Sequence, residues 1–244
     1  MNLRQLKTNS KNLDTLLLLS LLTGLIIGCG VPKQIQQNFI IRYENKDTGL
    51  DTMMNMQGYY VIVEPKTKRE YKSIWSKEYK IVADTFYMNY LFFRDGMYLR
   101  NFGFRCSSPT CVPQIFEKMV NDSLGKERHS FSVSSDWGVY RRSGDTIITN
   151  YINNPSSPKV WFAGMEKFRI VNRNTIIQID SKPLEKMSKS DWVNWEESQK
   201  NQNYQPAIFI PLKTLPSSDS WLKNELWFWV NDSLRINYLS KNGG

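Results

Sequence analysis

Histidine and cysteine are scarce in this chain: one histidine and three cysteines stand among 244 residues. That is too few for a metal centre built from the usual His and Cys ligands. His129 sits in the charged run Lys126-Glu127-Arg128-His129-Ser130, the setting of a solvated surface side chain. Glycine-rich phosphate loops are missing, and no serine lies in a Gly-x-Ser-x-Gly elbow. Glu196 and Glu197 follow Asp191 at helix spacings that do not hold two carboxyls at the roughly 5–9.5 Å used in glycoside hydrolysis, so they read as a solvated acidic face. No catalytic residue, metal or cofactor is expected. Long apolar runs are also absent. Residues 16–27 are apolar apart from Ser20, Thr23 and Gly24, whereas a bilayer span needs about twenty residues.

That short run is informative because of its flanks. Arg4, Lys7 and Lys11 precede it, offset only by Asp14, and Leu25-Ile26-Ile27-Gly28-Cys29 closes it. The arrangement has the three parts of an export signal and resembles a bacterial lipobox. The resemblance implies that residues 1–28 are a lipoprotein signal peptide, cleaved before Cys29, whose thiol is acylated. An uncleaved anchor, or a secretory signal with an incidental cysteine, is the competing reading. Multiple acyl chains hold a protein at a membrane without a spanning helix. Gly30-Val31-Pro32-Lys33 has no aspartate at the position that, in the sorting this resembles, retains a lipoprotein at the inner membrane; the outer membrane is implied. Surface-exported lipoproteins of the Bacteroidetes type often carry an acidic run after the cysteine. Here Lys33 and Gln34 stand in that region, so a periplasm-facing protein is expected. Residues 29–38, polar and glutamine-rich, read as a tether, and residues 39–244 as a single β-barrel-like domain.

Cys106 and Cys111 flank Ser107-Ser108-Pro109-Thr110. In an oxidising envelope such an isolated pair is expected to form a disulfide that pins a turn, with free thiols as the alternative. Thioredoxin-type redox pairs place two residues, not four, between the cysteines. The net charge is +9, spread through places such as Lys66-Thr67-Lys68-Arg69 and Arg141-Arg142. Outside the cytoplasm nucleic acid is not an expected partner, and a basic surface near anionic lipid headgroups is the simpler account.

Turn signals between apolar arms organise the rest. Phe92-Phe93 and Met97-Tyr98-Leu99 flank Arg94-Asp95-Gly96, the chemistry of a tight hairpin. Similar units join Val139-Tyr140 to Ile147-Ile148 through Gly144-Asp145, and Phe168-Arg169-Ile170 to Ile176-Ile177 through Asn172-Arg173-Asn174. A last unit joins Trp227-Phe228-Trp229-Val230 to Leu234-Arg235-Ile236 through Asn231-Asp232-Ser233. Further strands are predicted at 39–43, 58–63, 79–83, 159–162 and 207–210. Helical signals are short: 113–120 behind Pro113, 191–200 behind Ser190, and one turn at 217–222. The expected fold is all-β, an antiparallel meander closing into a barrel to remove its edges, with two or three short helices. Gly58-Tyr59-Tyr60, the Arg-Asp-Gly hairpin and Trp137-Gly138-Val139-Tyr140 before Gly144-Asp145-Thr146-Ile147 resemble small lipocalin-like lipoproteins of the Bacteroidetes. A lipocalin-like barrel is what the resemblance implies, although Gly58-Tyr59-Tyr60 stands where lipocalins carry Gly-x-Trp.

The chain holds 12 Phe, 8 Trp and 12 Tyr, all beyond residue 28. They serve as core or as ligand contacts, since a barrel of about eight strands can hold one small ligand. Trp192, Trp195, Trp227 and Trp229 are the candidate ligand-binding residues, with Trp227 and Trp229 on one face of a predicted strand. Asp122-Ser123-Leu124, Asp145-Thr146-Ile147 and Asp232-Ser233-Leu234 resemble acceptor sites for O-glycosylation of exported Bacteroidetes proteins, but Asp-Ser and Asp-Thr pairs also end turns. The expected function is that of a non-enzymatic envelope lipoprotein, anchored through lipid, that binds a small apolar or glycan ligand. A structural component docking onto another envelope protein is the alternative, and a hydrolase a third.

Overall fold

The computed structural model describes residues 30–73, 77–100, 114, 136–153, 161–184, 187–200 and 204–242. Cys29, Cys106, Cys111, His129, Asp122-Ser123-Leu124 and, apart from Gln114, the helix expected at 113–120 lie outside these residues.

Eight strands follow one another: β1 (Gly58–Tyr71), β2 (Tyr79–Phe92), β3 (Met97–Arg100), β4 (Asp136–Ser143), β5 (Thr146–Ile152), β6 (Ala163–Asn172), β7 (Thr175–Pro183) and β8 (Pro206–Pro211). Each pairs antiparallel with the next, and β8 returns to β1 from Gly58↔Pro211 to Val61↔Ile208, so the sheet closes into a barrel. The three inner hairpins stand where their turn residues place them. Gly144 has φ +62° as the first of the two residues between Ser143 and Thr146, as a II′ turn requires. Gly96 takes φ +91° after the Phe93-to-Gly96 turn, and Asp95 Oδ1 accepts the Met97 N–H at 3.1 Å. These turns share one end of the barrel, the short-turn end. The β1–β2, β3–β4, β5–β6 and β7–β8 connections occupy the long-loop end.

Successive strand residues point to opposite faces, and here both faces are buried over much of the wall. Tyr60, Ile62, Tyr90, Phe92, Tyr98, Tyr140 and Phe168 point into the barrel. Leu50, Met54 and Met56, around the 3-10 turn Leu50–Thr52, stopper the short-turn end. Tyr59, Leu91, Leu99, Trp137, Val139 and Met165 point outward, into a second core covered by the chain's flanks.

The N-terminal flank begins with α1 (Lys33–Asn38). Part of the polar tether is therefore a packed helix: Val31, Ile35 and Phe39 recur every four residues, one helical turn apart, and all three are buried. Residues 39–43 are not a strand of the sheet; they run along the outer wall with a single bridge, Tyr43↔Trp229, and the Ile41 N–H bonded to Asn150 Oδ1 at 2.9 Å. Trp161 and Phe162 belong to the β5–β6 connection, because β6 starts at Ala163, while Lys159 and Val160 lie outside the described residues.

The last predicted hairpin does not form. Leu226–Phe228 is a 3-10 turn and residues Asp232–Asn242 make a helix. Asn231 Oδ1 accepts the Leu234 N–H at 3.0 Å, which is an N-cap bond, so the Asn-Asp-Ser stretch starts a helix where a hairpin turn was expected. The helix expected at 191–200 is α2 (Lys189–Lys200), which makes the C-terminal helix α3, and the turn near 217–222 is a 3-10 turn at Trp221–Asn224, capped by Ser220 Oγ.

Asp95 ties flank, hairpin and C-terminal segment together. Its Oδ2 accepts from Tyr43 Oη at 2.7 Å, Ser218 Oγ at 2.7 Å and Lys223 Nζ at 3.1 Å. Lys223 is only 3% exposed, so removing Asp95 leaves a buried cation with the more distant Asp219 at 3.9 Å as its remaining carboxylate. Asp95→Ala is expected to lower stability by about 3 kcal/mol, read as a fall in the urea midpoint; an unchanged midpoint would show that the clasp does not hold the outer layer.

Candidate functional site

A charged cluster lies inside the barrel near the long-loop end. Arg100 ends β3, Asp136 begins β4 and Glu166 sits early in β6, in phase with inward-pointing Phe168. The Arg100 guanidinium lies 4.0 Å above the Tyr151 ring. Its Nη1 is 3.5 Å from Glu166 Oε1 and its Nε 3.8 Å from Asp136 Oδ2. Neither contact is a hydrogen bond, and both nitrogens are buried without a hydrogen-bond partner. Glu166 is 2% exposed. It accepts from Tyr98 Oη at 2.7 Å and from Gln178 Nε2 at 3.5 Å. A side chain at position 164 would collide with the Tyr151 phenol, so Gly164 makes the space in which that ring supports Arg100.

Burial sets the protonation of this cluster. Loss of solvent raises the Glu166 carboxyl against the opposing pull of Arg100 and the Tyr98 hydrogen bond. Desolvation also pushes the Asp136 carboxyl up, to about 6, again opposed by Arg100 and reinforced by Glu166. Desolvation works against the Arg100 charge, but Glu166, Tyr151 and Asp136 together hold it protonated. The Tyr98 phenol is raised by burial and remains a donor.

Beside the cluster is a cavity of about 190 Å³ lined by Met88, Arg100, Tyr151, Phe162, Glu166, Gln178 and Trp195, with Lys182 and Met187 at its edge. A cavity of about 150 Å³ holds one benzene ring, so this one is the size of a single ring with polar substituents. The two unbonded N–H groups of Arg100 can donate to a ligand oxygen, Glu166 and Gln178 can bond a hydroxyl, and Tyr151, Phe162 and Trp195 supply ring faces. A larger cleft of about 840 Å³ lies at the short-turn end, lined in part by Met54, Met56 and Phe92. Its guanidinium groups are already used: Arg173 donates to the Thr52 and Asp51 carbonyls at 3.0 Å, and Arg94 pairs with Asp51 at 3.0 Å. The interior cavity, with unsatisfied donors, is therefore the better candidate.

Of the four tryptophans singled out from sequence, Trp195 lines this cavity. Trp192 lies beside it on α2, with ring centroids 5.1 Å apart, and its Nε1 donates to Glu196 Oε1 at 2.8 Å. The structure does not bring Trp227 and Trp229 to the cavity. They belong to the outer core, where Trp227 packs edge-on to Phe39 and Trp229 Nε1 donates to the Lys223 carbonyl at 2.9 Å. Asp191 and Glu197 are exposed on α2. Arg100, Asp136, Glu166 and Gln178 were missed, although one signal marks two of them: Arg100 shares strand parity with Tyr98, and Glu166 with Phe168, so charge falls on a face that is otherwise apolar.

Comparison with protein families, curated proteins and solved structures finds no match to this chain. The topology itself defines the class: a closed, eight-stranded, antiparallel up-and-down barrel with few helices, consistent with a lipocalin-like fold.

The raised Asp136 carboxyl fixes a pH dependence. Its folded-state value lies above the ordinary 3.8, so its contribution to stability is full at low pH and is lost as pH rises through about 6. Asn carries no such titration. Relative to wild type, Asp136→Asn is expected to gain stability from about pH 4 to about pH 7, by up to about 3 kcal/mol. Parallel curves of melting temperature against pH for the two proteins would refute the assignment.

Proposed function

We propose that the protein is a non-enzymatic lipoprotein of the Bacteroidetes type, anchored in the outer membrane through acylated Cys29 and facing the periplasm, whose barrel binds a small ring-sized ligand of glycan character. The observation that carries the ligand reading is the 190 Å³ cavity in which buried Arg100 N–H groups without partners face aromatic rings. A purely apolar ligand would leave those donors unanswered, at a cost of about 1–3 kcal/mol each, whereas a polyhydroxylated ring answers them and still offers an apolar face to Tyr151, Phe162 or Trp195. The resemblance of Leu25-Ile26-Ile27-Gly28-Cys29 to a lipobox supports the anchor.

An assembly role is the second reading, favoured by a different surface. Val63, Val171, Ile179 and Ile208, each 39–50% exposed, lie on the outer sides of neighbouring strands β1, β6, β7 and β8, beyond the reach of the flanking segments.

Saturation-transfer NMR with a panel of monosaccharides tests the ligand reading. At least one sugar is expected to bind, and Trp195→Ala, at a half-buried position, is expected to weaken it by about tenfold, or about 1.4 kcal/mol. Absence of binding across the panel, or binding untouched by the substitution, would refute it. Cys29→Ser is expected to move the protein from the membrane fraction to the soluble fraction; retention on membranes would remove the lipid anchor.

A further inference from the structure

We infer that the ligand is the end of a glycan chain, with its terminal ring in the cavity and the next ring stacked on Trp192 outside. The inference rests on the glycan reading of the cavity and deepens it from a single ring to a chain of at least two. Three observations carry it.

The first is size. At about 190 Å³ the cavity has room for one ring. A longer glycan therefore enters only by its end, and its second ring must lie beyond the lining residues. That lining is aromatic where it meets solvent. Phe162 lines the cavity and is 41% exposed, so its ring spans the boundary between interior and solvent. Trp195 lines the cavity from α2 and is half-buried.

The second is the ring that continues this path. Trp192 stands three residues before Trp195 on α2, which places the two on one face of the helix. Their ring centroids are 5.1 Å apart and their planes are tilted by 40°. Trp192 is not part of the cavity lining, and at 40% it is the one exposed tryptophan among the described residues. Sugar rings joined through a single oxygen also sit side by side with their planes twisted. Two tryptophans in this relation meet two successive rings, Trp195 the one inside and Trp192 the one outside.

The third is the way Trp192 is held. Its Nε1 donates to Glu196 Oε1 at 2.8 Å, one helical turn further on. The first turn of α2 is closed as well: Ser188 Oγ accepts the Asp191 N–H at 3.1 Å and donates to Asp191 Oδ2 at 2.6 Å, and the Trp192 N–H donates to the Ser188 carbonyl at 2.9 Å. An exposed ring already fixed in one orientation loses little freedom when a ligand stacks on it. With the indole N–H engaged, what Trp192 offers is its face, which suits the C–H side of a sugar ring.

Titrations followed by saturation-transfer NMR on the full-length protein test this with glucose, galactose, mannose and N-acetylglucosamine, each also supplied as linear disaccharides and trisaccharides. At least one sugar is expected to bind more tightly as a chain than alone, by about fivefold or more, with saturation reaching protons of its second ring. Trp192→Ala is expected to abolish that preference, and Trp192→Phe to keep most of it. Val193→Ala, at a neighbouring position that is 44% exposed, is expected to retain it in full. Binding of single sugars and chains with equal affinity, or a preference that survives Trp192→Ala, would overturn the chain-end inference alone. Absence of binding by every member of the set would overturn the glycan reading and this inference together.

Discussion

Arg100 and Glu166 carry opposite charges 3.5 Å apart in the interior of a barrel otherwise filled with aromatic rings. Charges removed from water are tolerated only when other groups answer them, and each neighbour here has that effect. Tyr98 and Gln178 bond the carboxylate, the Tyr151 ring lies 4.0 Å under the guanidinium, and Gly164 leaves that ring its place. Aromatic and aliphatic side chains fill the interior toward the short-turn end, and the cavity lies beside this pair.

The wall around the pair is stiff because it is packed from both sides. Rings fill the inside, and the flanks of the chain press Phe39, Tyr43, Phe228 and Trp229 onto the outside. Asp95, at the tip of the β2–β3 hairpin, locks the two flanks to the same turn. β3, only four residues long, carries both Tyr98 and Arg100 inward and Leu99 outward, so the outer packing fixes the strand that presents the inner charge.

Much of this fold is legible in the sequence where turn chemistry decides the outcome. Asp95-Gly96, Gly144-Asp145 and Asn172-Arg173-Asn174 mark hairpins, because positive φ or a side-chain bond to the backbone selects those residues. The reading fails where burial on both faces erases the period of two. Val31, Ile35 and Phe39 look like isolated apolar residues in a glutamine-rich stretch until the wall they cover is known. Trp227-Phe228-Trp229 alternates like a strand, yet Phe228 is the residue that inserts into the outer core, and Asn231 caps a helix. Of the tryptophans clustered toward the C-terminus, Trp195 lines the cavity, whereas Trp227 and Trp229 pack in the outer core. The informative residues at the site are the few charges on inward strand positions: the partners of Arg100 are 36 and 66 residues away along the chain and become visible only once the strands are in register.

A high-resolution crystal structure of the protein, with its solvent resolved, examines this arrangement most directly. The guanidinium of Arg100 should lie over Tyr151 inside the barrel, with ordered water or a bound molecule in the adjoining cavity accepting from Nε and Nη1. An Arg100 side chain turned outward, or a cavity closed by protein side chains, would contradict it.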